Sequence, residues 1–161
     1  MSAVSRRALL SAGGVVGAAG VLGMGADAAQ AAPAPRATFG LLGAQLRIVG
    51  PQARACVGDS ITVRGVLHRV ARGPAIGTVF KTGTVLGTHE TSDSLASVES
   101  HLFQLDDGTI TGTGTVTDEG VGAFTITGGS GRYAGARGTY VTRQCADHSG
   151  GGTAEYTFIL R

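Results

Sequence analysis

Threonine stands at every second position from Thr109 to Thr117, with Ile110, Gly112, Gly114 and Val116 between. A period of two residues belongs to a strand with one polar and one apolar face. Asp118, Glu119 and Gly120 break the run, and Val121 to Thr127 resumes it, with Phe124 and Ile126 on one side and Thr125 and Thr127 on the other. Two alternating runs across a short polar break read as an antiparallel hairpin. The next segment, GGSGRYAGARG, sets Gly128, Gly129, Gly131, Gly135 and Gly138 around Tyr133 and two arginines. Such spacing calls for left-handed turns or very close backbone approach, and no helix of useful length fits there.

The same grammar extends along the chain. Strands are predicted over Phe39 to Val49, Ser60 to Val70, Gly77 to Glu90, Val98 to Leu105, the hairpin, Gly138 to Cys145 and Thr153 to Leu160. Gly50-Pro51, Gly58-Asp59, Gly73-Pro74, Asp107-Gly108 and Ser149 to Gly152 supply the breaks. About eight short strands with little helical periodicity predict an all-β fold, either an antiparallel sandwich or a closed barrel. The barrel is favoured, because closure removes the edge strands that so many threonines would leave adhesive.

Residues 1–31 read as a targeting segment, separate from the fold. Paired Arg6 and Arg7 precede a weakly apolar Ala/Gly/Val/Leu run, and Ala29-Gln30-Ala31 offers small residues at cleavage spacing, a pattern similar to a twin-arginine export signal. A membrane anchor is the competing reading, but six glycines between Gly13 and Gly25 oppose insertion. The expected product is secreted: a leader at 32–37, then one domain over 38–161, with no stable membrane anchor after cleavage. A mature chain of about 130 residues is long enough for one real core. Its basic residues are scattered, only Lys81 is a lysine, and no stacking aromatics interleave them, so no nucleic-acid surface is expected.

Cys56 and Cys145 are the only cysteines. In an exported chain two cysteines most often pair, and a loop of this length would contribute about 4 to 5 kcal/mol in the chain-entropy model. A Cys56 to Cys145 disulfide is therefore expected. No histidine stands at ligand spacing from either cysteine, and neither a metal nor another cofactor is implied.

Several strings imitate catalytic motifs. Gly58-Asp59-Ser60-Ile61 resembles the nucleophile block of GDS-type esterases, but Ser60 opens a strand where that fold needs a helix, and Asp147 is adjacent to His148 instead of three residues before it. Gly129, Gly131 and Ala134 mimic a dinucleotide fingerprint, yet a strand follows and the helix dipole is missing. His89-Glu90 does not continue into a helical zinc motif. More informative is Val98 to Leu105, where alternation sets Glu99 and His101 on the face of Phe103 and Leu105. A carboxylate and an imidazole sharing a barrel interior could act as general acid and base; at an open mouth both would simply be solvated. Tyr140 and Tyr156 lie on strands of which either face could be internal, and an enclosed phenol needs a partner.

The run from Gly108 through GGSGRYAGARG to the terminal AEYTFIL resembles the allene oxide cyclase and dirigent-protein barrel superfamily, over roughly 38–161. The resemblance implies an eight-stranded antiparallel barrel around a central apolar cavity, and a homo-oligomer, often a trimer. It also implies a small hydrophobic ligand, since plant members cyclise a fatty-acid epoxide or steer the coupling of phenoxy radicals. The motif positions are Gly128, Gly129, Gly131, Tyr133, Gly135, Arg137 and Gly138, and they shape backbone only. Confinement of a flexible polyene or a radical pair needs no strong nucleophile. Any enzyme here is therefore expected to be cyclase-like or dirigent-like, with Glu99 and His101 as catalytic residues and Tyr140, Tyr156 and Phe103 as ligand lining. A carrier of a hydrophobic metabolite, or a structural cell-surface barrel, remains the alternative.

Overall fold

The computed structural model describes residues 37–50, 56–88, 95–117 and 119–161. The expected targeting segment, most of the expected leader and the His89-Glu90 pair lie outside them. Eight strands follow in chain order: β1 (Thr38–Val49), β2 (Ser60–His68), β3 (Ala75–Thr88), β4 (Leu95–Leu105), β5 (Gly108–Val116), β6 (Val121–Gly131), β7 (Gly138–Cys145) and β8 (Gly152–Leu160). Each pairs antiparallel with its sequence neighbour, and β8 closes on β1. Among the described residues there is no helix. Closure satisfies both edges of every strand, so the threonine-rich faces meet solvent as side chains while the backbone is paired.

Alternation sorts the side chains. On β8, Ala154, Tyr156, Phe158 and Leu160 are buried and the residues between them exposed; on β5, Ile110, Gly112 and Val116 are buried. Inward glycines make space for rings: a Cβ on Gly112 would lie 2.5 Å from Tyr140 Cε1, and one on Gly122 2.6 Å from Phe124 Cε2. Phe39, Phe103, Tyr133, Tyr140, Tyr156 and Phe158 thereby pack into one aromatic column, with centroid separations such as 4.8 Å for Phe39–Phe158 and 4.9 Å for Phe103–Tyr156. The first pair is stacked and the second edge-on, and rings at these distances add attraction beyond their area burial.

Two features depart from the sequence expectation. Gly128 and Gly129 are strand residues, since β6 continues to Gly131 and pairs Gly128 with Thr111 and Gly129 with Ile110. The turn proper is 132–137, where Tyr133 N–H donates to Ser130 O at 3.0 Å and Ala136 N–H to Tyr133 O at 2.9 Å. Arg137 Nη1 caps this turn by donating to Ala136 O at 2.8 Å.

The expected disulfide is absent: Cys56 and Cys145 are both exposed and no bond joins them. Cys145 ends β7 and Cys56 precedes β2, and β8 and β1 lie between those strands around the barrel wall. Gly58 N–H donates to Val85 O and Val85 N–H to Asp59 O, so the turn carrying Cys56 is tied to β3, on the side of β2 away from β7.

Candidate functional site

Antiparallel closure brings the starts of β2, β4, β6 and β8 to one end of the barrel, and the interior turns polar toward that end. On β4, Ser97, Glu99 and His101 all point inward in register with Val85, Gly83 and Lys81 of β3. Glycines flank Glu99 on both sides, Gly83 and Gly114, and the glutamate leans over Gly83, where a Cβ would come within 2.9 Å of its Cγ. Gln144 of β7 reaches the same carboxylate from across the interior.

The result is a connected network. His101 Nε2 lies 2.7 Å from Glu99 Oε2, Ser97 Oγ donates to Glu99 Oε1 at 2.8 Å, and Gln144 Nε2 donates to both oxygens at 3.2 and 3.0 Å. The Gln144 carbonyl in turn accepts from Lys81 Nζ, whose charge also lies 5.2 Å from the centre of the Tyr156 ring. The His101 side chain is fully enclosed, while the Glu99 side chain keeps 13% exposure. Glu99 thus marks the boundary between the enclosed interior and the barrel mouth.

Electrostatics define the protonation states. Burial alone would raise the Glu99 pKa, but bonds from His101, Gln144 and Ser97 together outweigh it and hold the carboxyl below its ordinary value. Burial pushes His101 down, with Lys81 adding to the effect and the Glu99 bond opposing it. At neutral pH the imidazole is therefore uncharged. An ionised carboxylate can only accept, so the Nε2 proton faces Glu99 and Nδ1 carries the lone pair. Burial lowers Lys81 to about 8, against the attraction of Glu99. The Tyr140 and Tyr156 phenols are pushed up by burial and stay protonated.

Four buried polar atoms have no hydrogen-bond partner among the described residues: His101 Nδ1, Tyr140 OH, Tyr156 OH and Thr142 Oγ1. Burying such a group unpaired costs on the order of 1 to 3 kcal/mol, and four in one interior constitute an unmet demand for a polar ligand or water. The set comprises a basic nitrogen and three hydroxyls, able to accept from or donate to one small molecule. Among the described residues no group of three or more His, Cys, Asp or Glu is placed to hold a metal.

All five residues proposed from the sequence face the interior: Glu99 and His101 in the polar layer, Tyr140 and Tyr156 beside it, and Phe103 beneath, with the last four at most 2% exposed. His101 touches three of these rings, with centroids 5.9 Å from Phe103 and Tyr140 and 6.4 Å from Tyr156. Sequence reasoning missed Lys81, Gln144, Ser97 and Thr142. Parity on β7 could have found Gln144 and Thr142, which alternate with Tyr140. The nominated residues and the missed ones form one cluster.

The sequence profile of the family described as "Allene oxide cyclase barrel like domain" matches residues 44–152. No curated protein matches the chain in sequence. Among solved structures, a pyocyanin demethylase superposes with a TM-score of 0.60 at 20% identity, covering 78% of this chain and all of that one. A pterocarpan synthase dirigent protein gives 0.57 at 15% identity, with 78% and 86% coverage. The Diels-Alderase AbmU from Streptomyces koyangensis gives 0.55 at 22% identity, and this chain spans 63% of its length while 78% of this chain is covered. At these identities the likeness speaks for fold, and it is the profile match across most of the barrel that places the chain in the allene oxide cyclase-like barrel family.

Proposed function

We propose that the barrel binds a small, largely hydrophobic molecule against its aromatic interior and steers that molecule's cyclisation or coupling. The observation that carries the reading is the hydrogen-bonded Glu99–His101 pair set among rings, with the imidazole Nδ1 and two phenols unpartnered beside it. An apolar wall orients a flexible substrate, and orientation alone can lower a barrier by several kcal/mol, up to about 7 to 11 in well-aligned intramolecular reactions. The polar layer then contributes what the wall lacks: His101 Nδ1 accepts a ligand hydroxyl or takes its proton, and Tyr140 and Tyr156 donate to developing negative charge on oxygen. A Diels-Alderase and a dirigent protein among the structural neighbours, each acting on its own substrate, fit a barrel of this kind.

The test compares parent, Glu99→Gln and His101→Ala on linear polyenes bearing a diene and an alkene acceptor, and on phenols supplied with a one-electron oxidant. Turnover or product selectivity should fall in both variants while binding, followed by tyrosine emission, is kept. Binding without turnover in the parent would make the protein a carrier. Residues 1–31 direct export in this reading, and mass spectrometry of secreted protein should find Ala32 as the first residue; a retained Met1 would remove the export step.

A further inference from the structure

Lys81 is the only lysine in the chain, and it is 2% exposed. A flexible, strongly hydrated ammonium is a costly choice for a barrel interior, and lysine on a surface is the ordinary case. The partners it finds there do not explain it as a structural ion pair. Among the described residues its one hydrogen bond goes to the neutral Gln144 carbonyl, and the Tyr156 ring face lies beside it. Among the described residues the Glu99 carboxylate is engaged by His101, Ser97 and Gln144, so Gln144 stands between the two charges. Among the described residues the amine is thus held on a single polar tether beside the Glu99–His101 network, with the Tyr156 ring against it.

We propose that Lys81 is a carbonyl-capture site, whose amine condenses with an aldehyde or ketone of the hydrophobic ligand to form an imine inside the barrel. The neutral amine attacks the carbonyl carbon, a C–N bond forms, and the carbonyl π electrons move to oxygen, which takes up a proton. Nitrogen gives up one proton, the hydroxyl leaves with another as water, and C=N remains; the balance is amine plus carbonyl to imine plus water, with no oxidant or reductant. The Glu99–His101 pair can accept and return the protons through a water, while the Gln144 amide holds the amine in place. Desolvation keeps a usable fraction of the amine neutral near pH 8. Glu99 and His101 on β4, Tyr140 on β7 and Tyr156 on β8 are the titratable groups facing it, while β2 presents Val63 opposite Lys81 and adds no charge. Resting on the steering function proposed above, the inference names the substrate class: α,β-unsaturated aldehydes or ketones, whose protonated imine draws electrons from the conjugated alkene and makes it a better partner for ring closure.

The experiment uses the folded protein with cinnamaldehyde and sodium cyanoborohydride, which reduces an imine to a stable amine, followed by intact mass and peptide mapping. Cinnamyl alcohol serves as the matched ligand without a carbonyl. The expected result is one cinnamyl adduct on Lys81, forming faster near neutral pH than on an ordinary lysine, because an amine with a pKa of about 8 is neutral more often there than one at 10.5, while the imine can still be protonated for reduction. In the urea-unfolded chain the same residue should label with the profile of an ordinary lysine, a comparison that needs no variant. Lys81→Met should lose the adduct while still binding cinnamyl alcohol. Binding of the alcohol with no adduct on Lys81, or an adduct confined to the amino terminus, would overturn carbonyl capture and leave the hydrophobic site intact. Failure of both compounds to bind would overturn the capture and the binding function together.

Discussion

Lys81, Glu99 and His101 titrate inside the barrel, and the direction of each shift fixes how stability depends on pH. Lys81 falls from 10.5 to about 8 on folding, so between those values the unfolded chain holds a proton that the folded barrel has released. Stability therefore rises with pH across that window, by about 2 to 3 kcal/mol near pH 10 relative to neutral. Tyr140 and Tyr156 act oppositely: raised from 10.0, they keep their protons when the unfolded chain loses them, so stability declines above that pH. On the acid side, His101 and Glu99 are lowered from 6.5 and 4.5, and stability is lost as pH falls through the imidazole range and then the carboxyl range. Urea unfolding across pH should thus show an alkaline maximum, and Lys81→Met should abolish the rise above pH 8. A parent curve flat between neutral and alkaline pH would show that Lys81 is not desolvated. Glu99 and His101 were legible because Phe103 and Leu105 mark their face as inward. Lys81 was not, because β3 carries Phe80 and Leu86 on its outer face and Val79 and Val85 on its inner one, so hydrophobicity does not distinguish the two.

The corner joining β6 to β7 shows what an element demands of its glycines. Gly131 has φ of 58° and Gly135 of 72°, both left-handed. They differ in surroundings: a Cβ on Gly131 would sit 2.5 Å from Asp107 O, whereas nothing lies within 4 Å of one on Gly135. Gly135→Val should cost about 1 to 3 kcal/mol from backbone strain alone, and Gly131→Val more, because backbone must also shift. Chemical denaturation of both variants checks the order, and equal stabilities would mean that contact with Asp107 relaxes freely. Most strand positions were readable, since Gly, Pro and Asp clusters bound most alternating runs; β4 begins at Leu95, three residues before the predicted Val98, where no such cluster separates it from β3. The length of β6 was not: its last residues are glycines with no alternation to read, and their strand conformation comes from pairing with Gly108 to Thr111 on β5.

At the scale of the molecule, eight short strands and a glycine-rich corner pointed to a closed sheet, and closure converts a sequence period of two into an inside and an outside. Interior chemistry depends on side chains from β3, β4, β7 and β8 meeting across the barrel, a coincidence that no local pattern encodes. The outer wall offers a rival seat for a ligand, a groove of about 510 Å³ lined by Arg47, Arg64 and His148. Histidine imidazole resonances separate the two, because among the described histidines His101 is enclosed, His148 lies in that groove and His68 is tied to the Gly73 carbonyl at 2.8 Å. Titration of the protein with cinnamyl alcohol should shift the His101 resonances and leave those of His68 and His148 in place. Movement of His148 or His68 with His101 unchanged, or no movement at saturating alcohol, would contradict a ligand seated against the Glu99–His101 pair.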